Sequence, residues 1–247
     1  MTSMEFSGRT ALVTAAGADV GRAVALALAG AGANVAIHAY DGEGDAEAVA
    51  EEARALGAQA ISVVGDVTDP DAAAAMVAQA QDRFGGIDLL IHCVGIRPHS
   101  TVAGSTVAEW HEVMDTNCSS FFYLARQVLP GMTERKFGRL IAVSVALDDR
   151  TRVEHGSVAA ARAALRELVK VVAVEEAESG VTANIVSIAI TETVKTELLQ
   201  PEMLRSLVPI PRPAKLDEVA SACVYLASDG AGYITGHTLH VDGGFTL

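Results

Sequence analysis

The chain is poor in aromatic residues, in basic charge and in cysteine, and each shortage excludes something. Aromatic side chains make up 4% of the 247 residues, so aliphatic groups must fill the interior. The 18 basic residues are outnumbered by 31 acidic ones, and the net charge of −13 argues against nucleic acid or an anionic membrane as partner. Cys93, Cys118 and Cys223 lie far apart with no metal or redox spacing and read as small buried hydrophobes. No apolar run is long enough to span a bilayer. The opening "MTSMEFSGRTALVT" has no basic segment leading into an apolar one, so a cytoplasmic location without export is expected. What is present is Ala, Val and Gly in quantity and 50% hydrophobic residues, which excludes a disordered chain. No linker or internal repeat interrupts the sequence, and residues 1–247 are expected to form a single domain.

Short apolar runs alternate with helical patterns. "TALVT" (10–14), "NVAIH" (34–38), "AISVVGDV" (60–67), "IDLLIHCVG" (87–95), "GRLIAVS" (138–144), "VTANIVSI" (181–188) and "HTLHVDGG" (237–244) read as seven strands. Between them, Val20, Val24, Ala27, Leu28 and Ala31 mark one helical face, as do Ala161, Leu165, Leu168, Val169 and Val172. Further helices are expected over 45–57, after Asp69-Pro70-Asp71 and around Trp110–Met132. Near-continuous apolar strands separated by helices imply an α/β fold, a doubly wound parallel sheet with helices on both faces. Residues 189–214, rich in Thr and Pro, read as a mobile lid.

On these residues the chain resembles the short-chain dehydrogenase/reductase (SDR) family along its whole length. The segment "RPAKLDEVASACVYLASDGAGYITGHTLHVDGG" (212–244) is similar to the 3-oxoacyl-thioester reductase branch, and "GDV" (65–67), "IDLLI" (87–91) and Asn117 fit the same pattern. The resemblance implies a Rossmann-like fold, NAD or NADP as cofactor, and hydride transfer at an oxygen-bearing carbon. It implies a nucleotide site at Thr14, Gly17, Gly21, Asp41, Asp66, Val67 and Gly95. No metal is expected.

The family's phosphate turn, Thr-Gly-x-x-x-Gly-Ile-Gly, here reads "TAAGADVG" (14–21). Ala15 replaces one glycine and Asp19 another, which sets a carboxylate where a pyrophosphate would lie. At ~4 Å and an effective dielectric near 20, two like charges repel by roughly 4 kcal/mol. Arg22 offsets part of this if it turns toward the cleft, and Asp19 could equally cap the helix. Cofactor binding is therefore expected to be weak or lost. Asp41 is placed to take a ribose, though about two residues late, and Asp66 to meet the adenine. His92 and Cys93 replace the amides that brace the central turn and read as packing groups.

The family's proton relay is a tyrosine, a lysine four residues on, and a serine thirteen residues before the tyrosine. In the same register these places hold Val158, Arg162 and Val145. Valine neither gives nor accepts a proton, and arginine keeps its charge but has no phenol to acidify. Ile188-Ala189 stand where the family has Pro-Gly beside the nicotinamide, and the charged loop 148–156 sits at the mouth. Two residues offer weak substitutes. Ser144 neighbours Val145, although adjacent strand residues point to opposite faces. His155 lies seven residues before Arg162, a spacing found in the enoyl-reductase branch, and histidine can act as a general acid. A loop histidine is ordinarily solvent-exposed, and His99 is weaker still.

The losses cluster in one cleft, while the sheet and the C-terminal segment are intact. The expected function is a catalytically silent subunit, homo- or hetero-oligomeric, pairing with an active SDR paralogue that handles hydroxyacyl or oxoacyl thioesters. The alternatives are a non-standard oxidoreductase or a cofactor-free lyase or isomerase using His155 and Arg162, and a ligand sensor.

Overall fold

Alternating residues of each strand send side chains to opposite faces, and that alternation builds two apolar layers around one sheet. The computed structural model describes residues 5–41, 43–145, 152–193 and 201–247. Its strands are β1 (Thr10–Val13), β2 (Asn34–Ala39), β3 (Ala60–Val64), β4 (Leu89–His92), β5 (Gly138–Val145), β6 (Val181–Ile188) and β7 (Thr238–Val241). All pair in parallel in the order β3-β2-β1-β4-β5-β6-β7. The expected parallel sheet of seven strands is thus present.

The helices are α1 (Asp19–Gly30), α2 (Glu43–Ala55), α3 (Pro70–Phe84), α4 (Val107–Met114), α5 (Ser120–Arg135), α6 (Gly156–Glu175), α7 (Pro201–Leu207) and α8 (Leu216–Ala227). Val13, Ile37, Ile91 and Ile141 join Val24, Leu28, Val49 and Leu226 of α1, α2 and α8 on one face. Leu12, Leu90 and Leu140 join Met76, Phe121, Leu124 and Leu165 of α3, α5 and α6 on the other. Asp69 caps α3 by accepting from the Asp71 amide, with Pro70 in the first turn.

Two details differ from the sequence reading. The helical stretch around Trp110–Met132 is two helices, α4 and α5, joined by a π-helical turn at Asp115–Ser119 that contains Asn117. Strands three, four and seven are shorter than their apolar runs, because the last residues of each run turn into the loop that follows; of these loops, the one after β4 lines the cleft. Within 189–214, Thr191 bridges to Ala214 and α7 is formed, whereas residues 194–200 lie outside the described residues. Among the described residues no helix is long and apolar enough to cross a membrane.

The chain runs outward from β1 through β2 to β3, then returns to place β4 on the other side of β1. Such a switch point leaves a crevice at the carboxyl ends of the strands, where ligands of open α/β sheets bind.

Candidate functional site

A cavity of about 490 Å³ occupies that crevice. One end is made by the β1–α1 turn, with Ala15, Asp19, Val20 and Gly21; the other by the ends of β5 and β6, with Ser144, Val145, Arg162 and Ile188. The cleft is therefore open, and the substitutions clustered in it do not fill it.

The turn keeps a backbone suited to glycine at the two positions that have lost it. Ala15 has φ 50° and Asp19 φ 47°, both left-handed. Gly21 is required by packing, since a Cβ there would lie 2.2 Å from the Ala15 carbonyl oxygen. Gly17 does not adopt a left-handed φ; a Cβ on it would meet Cβ of Asp45 at 3.1 Å. The N-cap of α1 is Ala18, which offers no side-chain acceptor. The first helical bond runs from the Arg22 amide to the Ala18 carbonyl, so the amides of Asp19, Val20 and Gly21 are uncapped among the described residues. Asp19 is exposed at the first helical position and does not cap the helix through its side chain. Arg22 pairs with Glu52 of α2 instead of turning toward the cleft, so the condition for offsetting the Asp19 charge is not met.

Two imidazoles brace the strand ends. His38 Nδ1 accepts the Ala15 amide at 3.1 Å, and its Nε2–H donates to the Gly65 carbonyl at 2.9 Å. Burial holds its pKa below the ordinary value. His92 is fully buried, edge-on to Phe121, and its Nε2–H donates to Ser120 Oγ at 2.8 Å. Ser120 in turn donates to the Thr116 carbonyl. Burial pushes His92 down to about 3. Thr14 lies between them and accepts the Cys93 amide at 3.0 Å. The Cys93 thiol, raised by burial to about 12, is not a nucleophile. These bracing roles left no signal in the sequence beyond histidines at two strand ends.

Other nucleotide-site positions are committed elsewhere or stand apart. Asn117 accepts the Ile96 amide at 2.9 Å and donates to the Ile96 carbonyl at 3.0 Å, clamping the loop after β4. A Cβ on Gly95 would approach Asn117 Oδ1 to 3.0 Å. Asp66 accepts from the Thr68 amide and hydroxyl, next to the buried Val67. Asp41 is exposed, and neither Asp41 nor Asp66 lines the cavity.

At the far end, the places of the serine and tyrosine join one apolar cluster. Val158, fully buried, packs with Val113, Ala161, Val208 and Phe245, and with Val145, Met114 and Ile190 around them. Val208 and Phe245 come from distant segments, and nothing local in the sequence announces them. Arg162, 5% exposed, donates to the Val145 carbonyl at 2.9 Å. Ser144, 7% exposed, lines the cavity together with Val145, so the end of β5 brings both neighbours to the cleft. His155 is not solvent-exposed: it is 8% exposed, donates from Nδ1 to the Val153 carbonyl, and meets the His99 ring at 4.6 Å. It does not line the cavity. Of the loop 148–156, residues 148–151 lie outside the described residues. Among the described residues no group of three or more His, Cys, Asp or Glu is placed to hold a metal.

As they stand, these residues do not fit a nicotinamide dinucleotide. The uncapped amides suit a phosphate, but the Asp19 carboxylate stands beside them, and the far end presents valines where the transferred proton would need a donor.

The comparisons place the fold in context. The family model described as "Enoyl-(Acyl carrier protein) reductase" matches residues 15–246. The chain is 34% identical over 247 residues to the 3-oxoacyl-[acyl-carrier-protein] reductase FabG of Salmonella typhimurium, covering 99% of this chain and 100% of that protein. It is 35% identical over 201 residues to an acetoacetyl-CoA reductase of Allochromatium vinosum, covering 80% of this chain and 82% of the other. A crystal structure of a candidate gluconate dehydrogenase from Agrobacterium tumefaciens superposes with a TM-score of 0.92 at 28% identity, over 100% of this chain and 99% of that one. With its parallel seven-stranded sheet and its switch-point cleft, the chain belongs to the short-chain dehydrogenase/reductase family.

Proposed function

We propose that this protein is a catalytically silent member of its family that works as a subunit beside an active paralogue, one acting on hydroxyacyl or oxoacyl thioesters. The observation that carries this reading is the apolar cluster at the relay positions. Val145 and Val158 pack against Val113, Val208 and Phe245, so the place where a phenol and a hydroxyl would meet substrate is an aliphatic contact. The thioester class follows from the names of the relatives, a 3-oxoacyl carrier-protein reductase and an acetoacetyl-CoA reductase.

A subunit needs a face. Phe122, Ala125 and Leu129 of α5 and Leu168 and Val172 of α6 flank a groove of about 420 Å³, with Val171 half-exposed on α6. Apolar surface of this kind favours contact with a second chain. A ligand sensor is the second reading, favoured by the open cavity of about 490 Å³. Chemistry through His155 and Arg162 has less support, since only Arg162 lines that cavity.

The test is the purified chain with acetoacetyl-CoA and NADPH, followed by loss of NADPH absorbance. The expected rate is indistinguishable from buffer. Turnover by the lone chain at about 1 per second or faster, an ordinary enzymatic rate, would overturn the proposal. Co-expression with an active paralogue should give a mixed oligomer that survives gel filtration.

A further inference from the structure

We infer that Asp19 is a charge gate: its carboxylate turns phosphate-bearing ligands away from a cleft whose backbone still has the shape to hold them. Four observations on this chain meet at that point. Both former glycine positions keep the left-handed backbone, at φ 50° and 47°, so the turn has not refolded around its new side chains. The amides of Asp19, Val20 and Gly21 are uncapped among the described residues and border the cavity. Arg22, the nearest cation in sequence, is held by Glu52 on the outer surface. The Asp19 carboxylate makes no hydrogen bond or ion pair with any described residue, and Asp19 lines the cavity.

The cavity itself is made for a ligand and is not merely a helix terminus. At its far end Ser144 is 7% exposed and lines the wall, and its hydroxyl has no hydrogen-bond partner among the described residues. A hydroxyl without a protein partner that borders an open cavity is available to a guest. The walls are mixed: Val94, Val143 and Ile188 are aliphatic, whereas Asn117, Arg162 and Thr191 are polar. The guest class left to this pocket is a small molecule without phosphate that carries both apolar and polar groups.

The gate is separate from the silence proposed above, because Asp19 and the valine cluster lie at opposite ends of the cleft. NADH and NADPH binding is measured by fluorescence on the full chain and on Asp19→Asn and Asp19→Gly. Asparagine tolerates a left-handed backbone, so the first variant removes the charge while keeping bulk and backbone. Thermal melts confirm that both variants are folded. Removing a repulsion that lies between the values for bulk water and for an effective dielectric near 20, as suits an exposed carboxylate, predicts association about thirtyfold tighter in both variants than in the wild type, the gain shrinking as salt is raised. Equal affinity in all three proteins overturns the gate. A gain in Asp19→Gly alone also overturns it, since bulk and not charge would then be the barrier. Neither result touches the silence, which falls only if acetoacetyl-CoA is reduced.

Discussion

At Ala15 a methyl group sits on a backbone with φ 50°, a conformation glycine adopts freely and alanine does not. The strain costs on the order of 1 kcal/mol. Ala15→Gly is therefore expected to raise the unfolding free energy by about that amount in urea titration, despite the added flexibility of the unfolded chain. Gly21→Ala has the opposite sign and is larger, because its Cβ would meet the Ala15 carbonyl oxygen at 2.2 Å. An unchanged midpoint for both variants would mean the turn is more pliable than its geometry implies. At this scale the sequence was informative about absences: Ala15, Asp19, Val145 and Val158 are visible as missing glycines, serine and tyrosine without any coordinates. It was silent on replacements. That Arg22 pairs with Glu52, that His38 holds the Ala15 amide, and that Phe245 reaches Val158 are contacts between distant segments, which no local pattern encodes.

The carboxyl ends of β2, β1 and β4 act together, through His38, Thr14 and His92. Neither imidazole can take a second proton cheaply. His38 would lose the Ala15 amide as donor, and His92 Nδ1 is buried with no hydrogen-bond partner. Both are held below the ordinary value of 6.5, His92 at about 3. Below pH 6.5 the unfolded chain binds protons that the folded chain refuses, so stability is complete above that pH and falls as the medium is acidified toward the folded values. The expected loss from His92 is on the order of 1 kcal/mol per pH unit. Urea midpoints between pH 7.5 and 5 should show it, and His92→Asn should flatten the slope by about one proton. A profile that is flat over this range for the wild type would place the imidazoles in contact with water. The elements themselves were the most legible level: β6 was read residue for residue from "VTANIVSI", and β1, β2 and β5 to within one residue. The break between α4 and α5 was not, since a π-helical turn leaves the apolar periodicity nearly intact.

For the molecule as a whole, the unpartnered apolar face of α5 and α6 carries the proposed assembly. Phe122 and Val171 are each about half exposed there. Replacing both by lysine leaves the interior untouched and should reduce the mass seen by light scattering to that of one 25.6 kDa chain. An unaltered mass would move the interface elsewhere. The fold could be read in full because a parallel sheet writes itself in apolar runs. The state of the cleft could not, because volume depends on how side chains from six or more segments turn.

The aliphatic plug around Val158 also bears on descent. A tyrosine placed there alone would bring its ring among Val113, Val208 and Phe245, and a hydroxyl left unsatisfied among them would be a burden of about 1–3 kcal/mol. On the reading proposed above, each single step toward the family's relay is thus uphill before any activity appears. That asymmetry is a ratchet: under the proposed role, selection would refine this chain as a companion far more readily than as a catalyst.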